Sequence, residues 1–487
     1  MVRQLKSINV LIWVALLVVV TAVGCGGDAP AATSADGLEV SEGPKLAGDY
    51  TGAGPGTLVS AHVLQDIDID LRDSSSLAAR MTYTSTSGID NRYFTVSGAV
   101  FIPRGQAPQG GWPTVAFGHP TTGIQPNCAP SLSYDLLGSS STITGLLRAG
   151  FAVTVPDYQG LGSKDIYHPY LDSTTAGFNL IDSVRAARKL VRDLSVRWVG
   201  LGADQGGQAA WAANELIVDF GGGLQQLGSI SVAPFTDVED LADAAAAGTL
   251  TKDQELLLIQ YLAALEQEYP GFDLDAFRRG IVQQQWDVLL ACQRPAVRER
   301  QAVVDQITPD DLRPATPDAV ETLRGYLRKT SLPQGVAYAP MWVIYGSQDP
   351  LAPRPWTERA IERACGFNDT VQIELQADGR PQIDLPRTIE WINARLNGDP
   401  PVNDCPAFRA GLQGTEPPTE APAPDEETTQ EQTVEEQTTE ESTAVATTTS
   451  APTTTAAPTS TAAPTTTVAP TTTEQLPSQH LPAEAGG

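Results

Sequence analysis

Short apolar runs alternate with segments of helical period through the middle of the chain, from about residue 50 to residue 413. Residues 96–103, 114–118 and 152–156 read as strands, and residues 174–191 follow with helical spacing. Residues 196–201 form another apolar run, followed by a helix-like segment at 207–213 and a short strand at 229–233. The pattern resumes with strands at 341–345 and 371–375, followed by helices at 358–364 and 386–396 respectively. Strand–helix alternation over about 350 residues predicts an α/β fold built on one doubly wound, mostly parallel sheet.

Residues 237–333 break that rhythm. They read as helices at 241–247, 252–268, 274–291 and 295–304 with no strand between them. This predicts a helical cap inserted after the sixth strand, lying over the top of the sheet and shaping an apolar pocket.

The two ends have different compositions. Arg3 and Lys6 precede an apolar run from residue 8 to residue 23, the pattern of an export signal over residues 1–24. The run ends Thr21-Ala22-Val23-Gly24-Cys25, which resembles a bacterial lipobox. That resemblance implies a diacylated Cys25 as the mature N-terminus and a membrane anchor through that lipid, on the extracytoplasmic face. Residues 25–50 then serve as a linker to a domain spanning 51–413. From residue 414 to 487 the chain is mostly Thr, Pro, Ala and Glu, a composition that cannot bury enough apolar surface to offset chain entropy, so a disordered tail is expected. The tail holds about a dozen of the excess acids, so the net charge of −27 overstates the acidity of the rest. An acidic balance argues against nucleic acid as a partner.

Four cysteines remain after Cys25: Cys128, Cys292, Cys365 and Cys405. In an exported chain an even number suggests two disulfides, with three possible pairings. No clustered His or Cys suggests a metal site, and nothing points to a cofactor. Gly202-Ala203-Asp204-Gln205-Gly206, between a strand and a helix, has the form of a nucleophile elbow. Its central residue is aspartate where serine is expected.

Several further motifs, in order, are similar to the secretory lipase family, a branch of the α/β-hydrolases with a helical cap. They are Gly118-His119-Pro120-Thr121-Thr122-Gly123, Cys128-Ala129-Pro130-Ser131, Asp157-Tyr158-Gln159-Gly160-Leu161-Gly162, His168-Pro169-Tyr170, Gln205-Gly206-Gly207-Gln208 and Gly346-Ser347-Gln348-Asp349-Pro350. The resemblance implies lipid or carboxylic-ester hydrolysis, with Asp204 at the nucleophile position and Asp349 at the position of the triad acid. It also implies an oxyanion loop involving His119, Thr121 and Gln205, and the disulfides Cys128–Cys292 and Cys365–Cys405.

The triad histidine is missing. The family places it in the loop after the last strand, which here reads Ala377-Asp378-Gly379-Arg380-Pro381-Gln382-Ile383-Asp384. Haloalkane dehalogenases and epoxide hydrolases use an aspartate nucleophile on this fold, but they too need a histidine-activated water to release the ester intermediate. The flanks of Asp204 resemble the lipase branch instead. Pro120 also removes one backbone donor from the oxyanion loop. The expectation is a catalytically impaired lipase relative that keeps its pocket for an apolar or ester small molecule. The alternatives are an active hydrolase using an unusual base, such as Asp378, Asp384 or a histidine delivered by folding, or an aspartate-nucleophile hydrolase.

Overall fold

The computed structural model describes residues 43–292, 294–377 and 379–413. The export segment, Cys25, Asp378 and the tail from residue 414 lie outside the described residues.

Nine strands form one sheet: β1 (Leu58–Val63), β2 (Ser75–Thr86), β3 (Tyr93–Pro103), β4 (Trp112–Gly118), β5 (Ala152–Pro156), β6 (Leu194–Ala203), β7 (Gln225–Val232), β8 (Met341–Gly346) and β9 (Val371–Gln376). Their order is β1-β2-β3-β5-β4-β6-β7-β8-β9. The first three strands pair antiparallel, as does β3 with β5; every pairing from β5 onward across the sheet is parallel. β5 is buried at every residue because both of its faces are covered, which is why it reads as a continuous apolar run.

Successive residues of each central strand face opposite layers. Val115, Phe117, Val199, Leu201, Trp342 and Ile344 pack with the Ser140–Arg148 and Leu385–Asn397 helices. Ala116 and Trp198 pack against the Ser173–Leu190 and Gln205–Phe220 helices, while Met341, Val343 and Tyr345 meet the Arg354–Gly366 helix on the same face. Two helical layers thus sandwich the sheet.

Every regular element between β7 and β8 is helical among the described residues. The cap therefore leaves after the seventh strand in chain order. The count exceeds the expected six by one because two strands, β1 and β2, precede the five with clear apolar runs. The helix expected over residues 274–291 is broken into Leu274–Ala276, Gly280–Gln284 and Trp286–Leu289. Gly280 sits at φ 55°, and the Asp311 carboxylate fills the space that a Cβ would need. The cap gains a further helix, Pro317–Thr330. Its core joins Leu257, Leu258, Leu262, Leu323 and Leu327 to Ile124, Tyr170 and Leu171 from loops at the tops of the strands.

Disulfides join Cys128 to Cys292 and Cys365 to Cys405. The first links the loop after β4 to the cap across 164 residues of chain; in the chain-entropy picture such a closure stabilises by on the order of 5 kcal/mol.

Candidate active site at the elbow

β6 ends in a reversal at Asp204, which takes φ 56° and ψ −120° before the Gln205–Phe220 helix begins. A non-glycine residue held there costs on the order of 1–3 kcal/mol and persists only where its surroundings over-determine it. They do so here. A Cβ on Gly202 would overlap the Gly206 carbonyl, and one on Gly206 would overlap the Gly118 carbonyl. The Asp204 N–H donates to Val232 O (3.0 Å), and the Asp204 carbonyl accepts from the Gln208 N–H (3.0 Å). The strained turn aims the carboxylate off the top of the sheet.

The Asp204 carboxylate forms an ion pair with the guanidinium of Arg380, which the loop after β9 delivers. Both side chains are mostly buried, with 17% and 23% of their surface exposed. Burial raises the Asp204 pKa above the ordinary carboxylate value; the adjacent Arg380 opposes that shift, and the nearby Asp349 charge adds to it. Arg380 thus stands in the loop from which the family supplies its histidine.

Asp349 lies in the turn after β8 and is buried. One carboxylate oxygen accepts from the backbone N–H groups of Leu351 (2.9 Å) and Ala352 (3.2 Å). The other is buried without a hydrogen-bond partner. Leaving such an acceptor unpaired costs about 1–3 kcal/mol. In a complete triad an imidazole N–H would occupy that position.

Two histidines lie near the elbow, both buried and each donating from one ring nitrogen to a backbone carbonyl. His119 is buried, which lowers its pKa; its Nδ1 lies 2.7 Å from the Pro120 carbonyl and its Nε2 3.4 Å from that of Asp157. A neutral ring donates through only one nitrogen, and the shorter contact assigns Nδ1–H to Pro120. His168 donates from Nδ1 to Gln159 O (2.8 Å) and accepts at Nε2 from the Gln205 amide (2.9 Å). Burial pushes its pKa down to about 4, so it stays neutral near pH 7. The His119 side chain packs against Tyr158, with ring centroids 4.5 Å apart, and does not enter the pocket as a base. Thr121 shares a hydrogen bond with Tyr170 (2.8 Å), and the Thr122 hydroxyl donates to Cys128 O (2.8 Å). Of the other suggested bases, Asp384 is exposed and caps the Leu385–Asn397 helix by accepting from the Arg387 N–H.

A cavity of about 250 Å³ opens above Asp204, between the strand tops and the cap. Thr121, Thr122, Tyr170 and Phe235 line its floor; Asp253, Leu256, Leu257 and Gln260 line it from the Lys252–Glu268 helix, with Arg300 and Leu351 beside them. The spacing of 253, 256, 257 and 260 is one face of a helix, a signal present in the sequence. Arg380 as the partner of Asp204 had no comparable signal. Among the described residues, no group of three His, Cys, Asp or Glu side chains is placed to hold a metal ion.

The sheet order, the elbow and the acid after β8 define an α/β-hydrolase. Solved structures agree on the fold. The structure is similar to lipase A of Candida antarctica in its closed state, at a TM-score of 0.59 and 15% identity over 72% of this chain and 84% of that one. It is also similar to the rice cell wall degrading esterase LipA of Xanthomonas oryzae. A ligand-bound form of that esterase matches at a TM-score of 0.56 and 19% identity over 74% of this chain and 98% of that one. The sequence matches the secretory lipase family over residues 131–404, more than half of the chain, and the chain belongs to that family. The match begins after the loop carrying His119 and Thr121. No curated protein matches the sequence.

Proposed function

We propose that this secretory lipase relative no longer hydrolyses esters and instead binds a small apolar or ester molecule in its capped pocket. The observation that carries this reading is the Asp204–Arg380 ion pair. A serine–histidine pair passes a proton from nucleophile to base. Guanidinium is donor-only and remains protonated, so Arg380 can accept no proton from a hydroxyl or a water. A carboxylate attacking an ester would form an anhydride while expelling a poorer leaving group. The unpaired oxygen of Asp349 is consistent with an acid that has lost the imidazole it once oriented. Removing the base costs several powers of ten in rate, and losing the nucleophile as well adds little because the triad acts as a unit.

The full-length chain should show no turnover of short- or medium-chain p-nitrophenyl esters above buffer. The paired change Asp204→Ser with Arg380→His should restore measurable hydrolysis. Turnover by the unmodified protein that disappears in Asp204→Ala would overturn the proposal.

The family name points to export, and among the described residues no helix is long and apolar enough to cross a membrane. We assign attachment to the cell surface to lipid on Cys25, on the strength of the small residues that precede it after the apolar run. Cys25→Ser should then move the protein from the membrane fraction to the medium; retention in the membrane fraction would count against it.

A further inference from the structure

We infer that the pocket selects a medium-chain free carboxylate, held through Arg300, over the corresponding neutral ester; this rests on the reading of the pocket as a binding site.

Arg300 comes from the Arg294–Val304 helix of the cap and lines the same cavity as Asp204. Its Nη1 donates to Ala291 O (2.8 Å), and among the described residues no carboxylate forms an ion pair with it. The side chain is half-buried. A guanidinium carries five N–H donors in a fixed fork; among the described residues the bond to Ala291 uses one, which leaves donors that water or a ligand can take. A partly buried charge without a counter-ion is unfavourable, and its geometry suits a carboxylate accepting two parallel hydrogen bonds.

The other three charged residues lining the cavity, Asp204, Arg380 and Asp253, do not satisfy that need. Arg380 is already matched by Asp204, so that pair is close to neutral as a unit. Asp253 lines the mouth of the cavity but is exposed, where water screens it. Gln260, 4% exposed, stands on the wall of the same cavity with its amide oxygen buried and unpaired; that oxygen accepts only, so it bonds a donor such as water and not the carboxylate itself. Leu256, Leu257, Phe235 and Leu351 supply the apolar remainder. The occupant this arrangement fits has one anionic head and one apolar chain. A cavity of about 250 Å³ has ample room for a chain of medium length.

The test is calorimetric titration of the full-length protein at pH 7.5 with sodium octanoate, methyl octanoate and octyltrimethylammonium. Octanoate should bind at least tenfold more tightly than its methyl ester, and the cation more weakly still. Arg300→Met should remove the tenfold preference and leave affinity for the ester unchanged, while Arg300→Lys should keep part of it. Equal affinity of the unmodified protein for acid and ester overturns the inference without any variant, so a poorly folding Arg300→Met does not leave it open. An equal loss for both ligands in Arg300→Met also overturns it, since that is a packing effect. Release of octanoate from methyl octanoate would defeat the non-hydrolytic reading instead. No release together with no acid preference defeats only the choice of ligand.

Discussion

The elbow at Asp204 and the loop after β9 both belong to the site, yet they are held in different ways. At the elbow, backbone approaches backbone: Gly202, Gly206 and Gly118 leave no room for side chains, and Asp204 is forced to positive φ. That geometry is required to join β6 to its helix whatever side chain projects from the turn. The loop after β9 makes one close backbone approach, its Gly379 carbonyl lying where a Cβ on Gly346 would sit, but its own side-chain positions carry no such demand. A Cβ on Gly379 would meet nothing within 4 Å, and Arg380 is positioned by its charge partner. Architecture is thus enforced where the main chain is crowded, and chemistry is free to change where only a side chain is at stake. A fold can persist through the replacement of its reacting groups for this reason.

The largest effect expected from that contrast is at Gly206. Gly206→Ala places a methyl group in the Gly118 carbonyl and should cost more than ~4 kcal/mol or prevent soluble expression. An intermediate effect is expected at the ion pair. Arg380→Gln leaves the Asp204 carboxylate buried beside Asp349 without its cation, for a loss of about 2 kcal/mol at pH 7 by urea denaturation, discounted for partial exposure. The sign with pH follows from the raised pKa of Asp204. Its ionised form opposes folding, so the penalty is absent where the group is protonated in both states and grows as pH rises through the folded-state value. Arg380 offsets part of that penalty. The variant should therefore approach the parent in stability toward about pH 4 and diverge from it at neutral pH; a pH-independent difference would assign the loss to packing. The smallest effect belongs to Gly379. Gly379→Ala bears only the strain of φ 49°, about 1 kcal/mol, and a cost matching that of Gly206→Ala would erase the contrast between the two regions.

The parallel half of the sheet is legible in the sequence because strands such as residues 152–156 and 341–345 are apolar on both faces. β1 and β2 are not. Their buried positions are filled by Ala61, Ala79, Ser85 and Thr86 as often as by large apolar residues, so the alternation is chemically faint. The amphipathic Pro317–Thr330 helix is obscured by its place between Pro314 and Pro333, and the 274–291 segment reads as one helix because nothing in its own residues announces that Asp311 occupies the space at Gly280. At the site, the sequence exposes the missing histidine and the aspartate at the elbow. That Arg380 closes on Asp204, and that Gln205 commits its amide to His168, depend on contacts between segments far apart in the chain. Local pattern does not carry such pairings.

The bridge from Cys128 to Cys292 has a mechanical consequence. The cap already joins the body at two places, where it leaves β7 and where it returns to β8. The disulfide adds a third mount, on the loop that forms the floor of the cavity. A plate fixed at two neighbouring points can swing like a door; fixed at a third point across its span, it can only flex. Roof and floor of the pocket therefore move together.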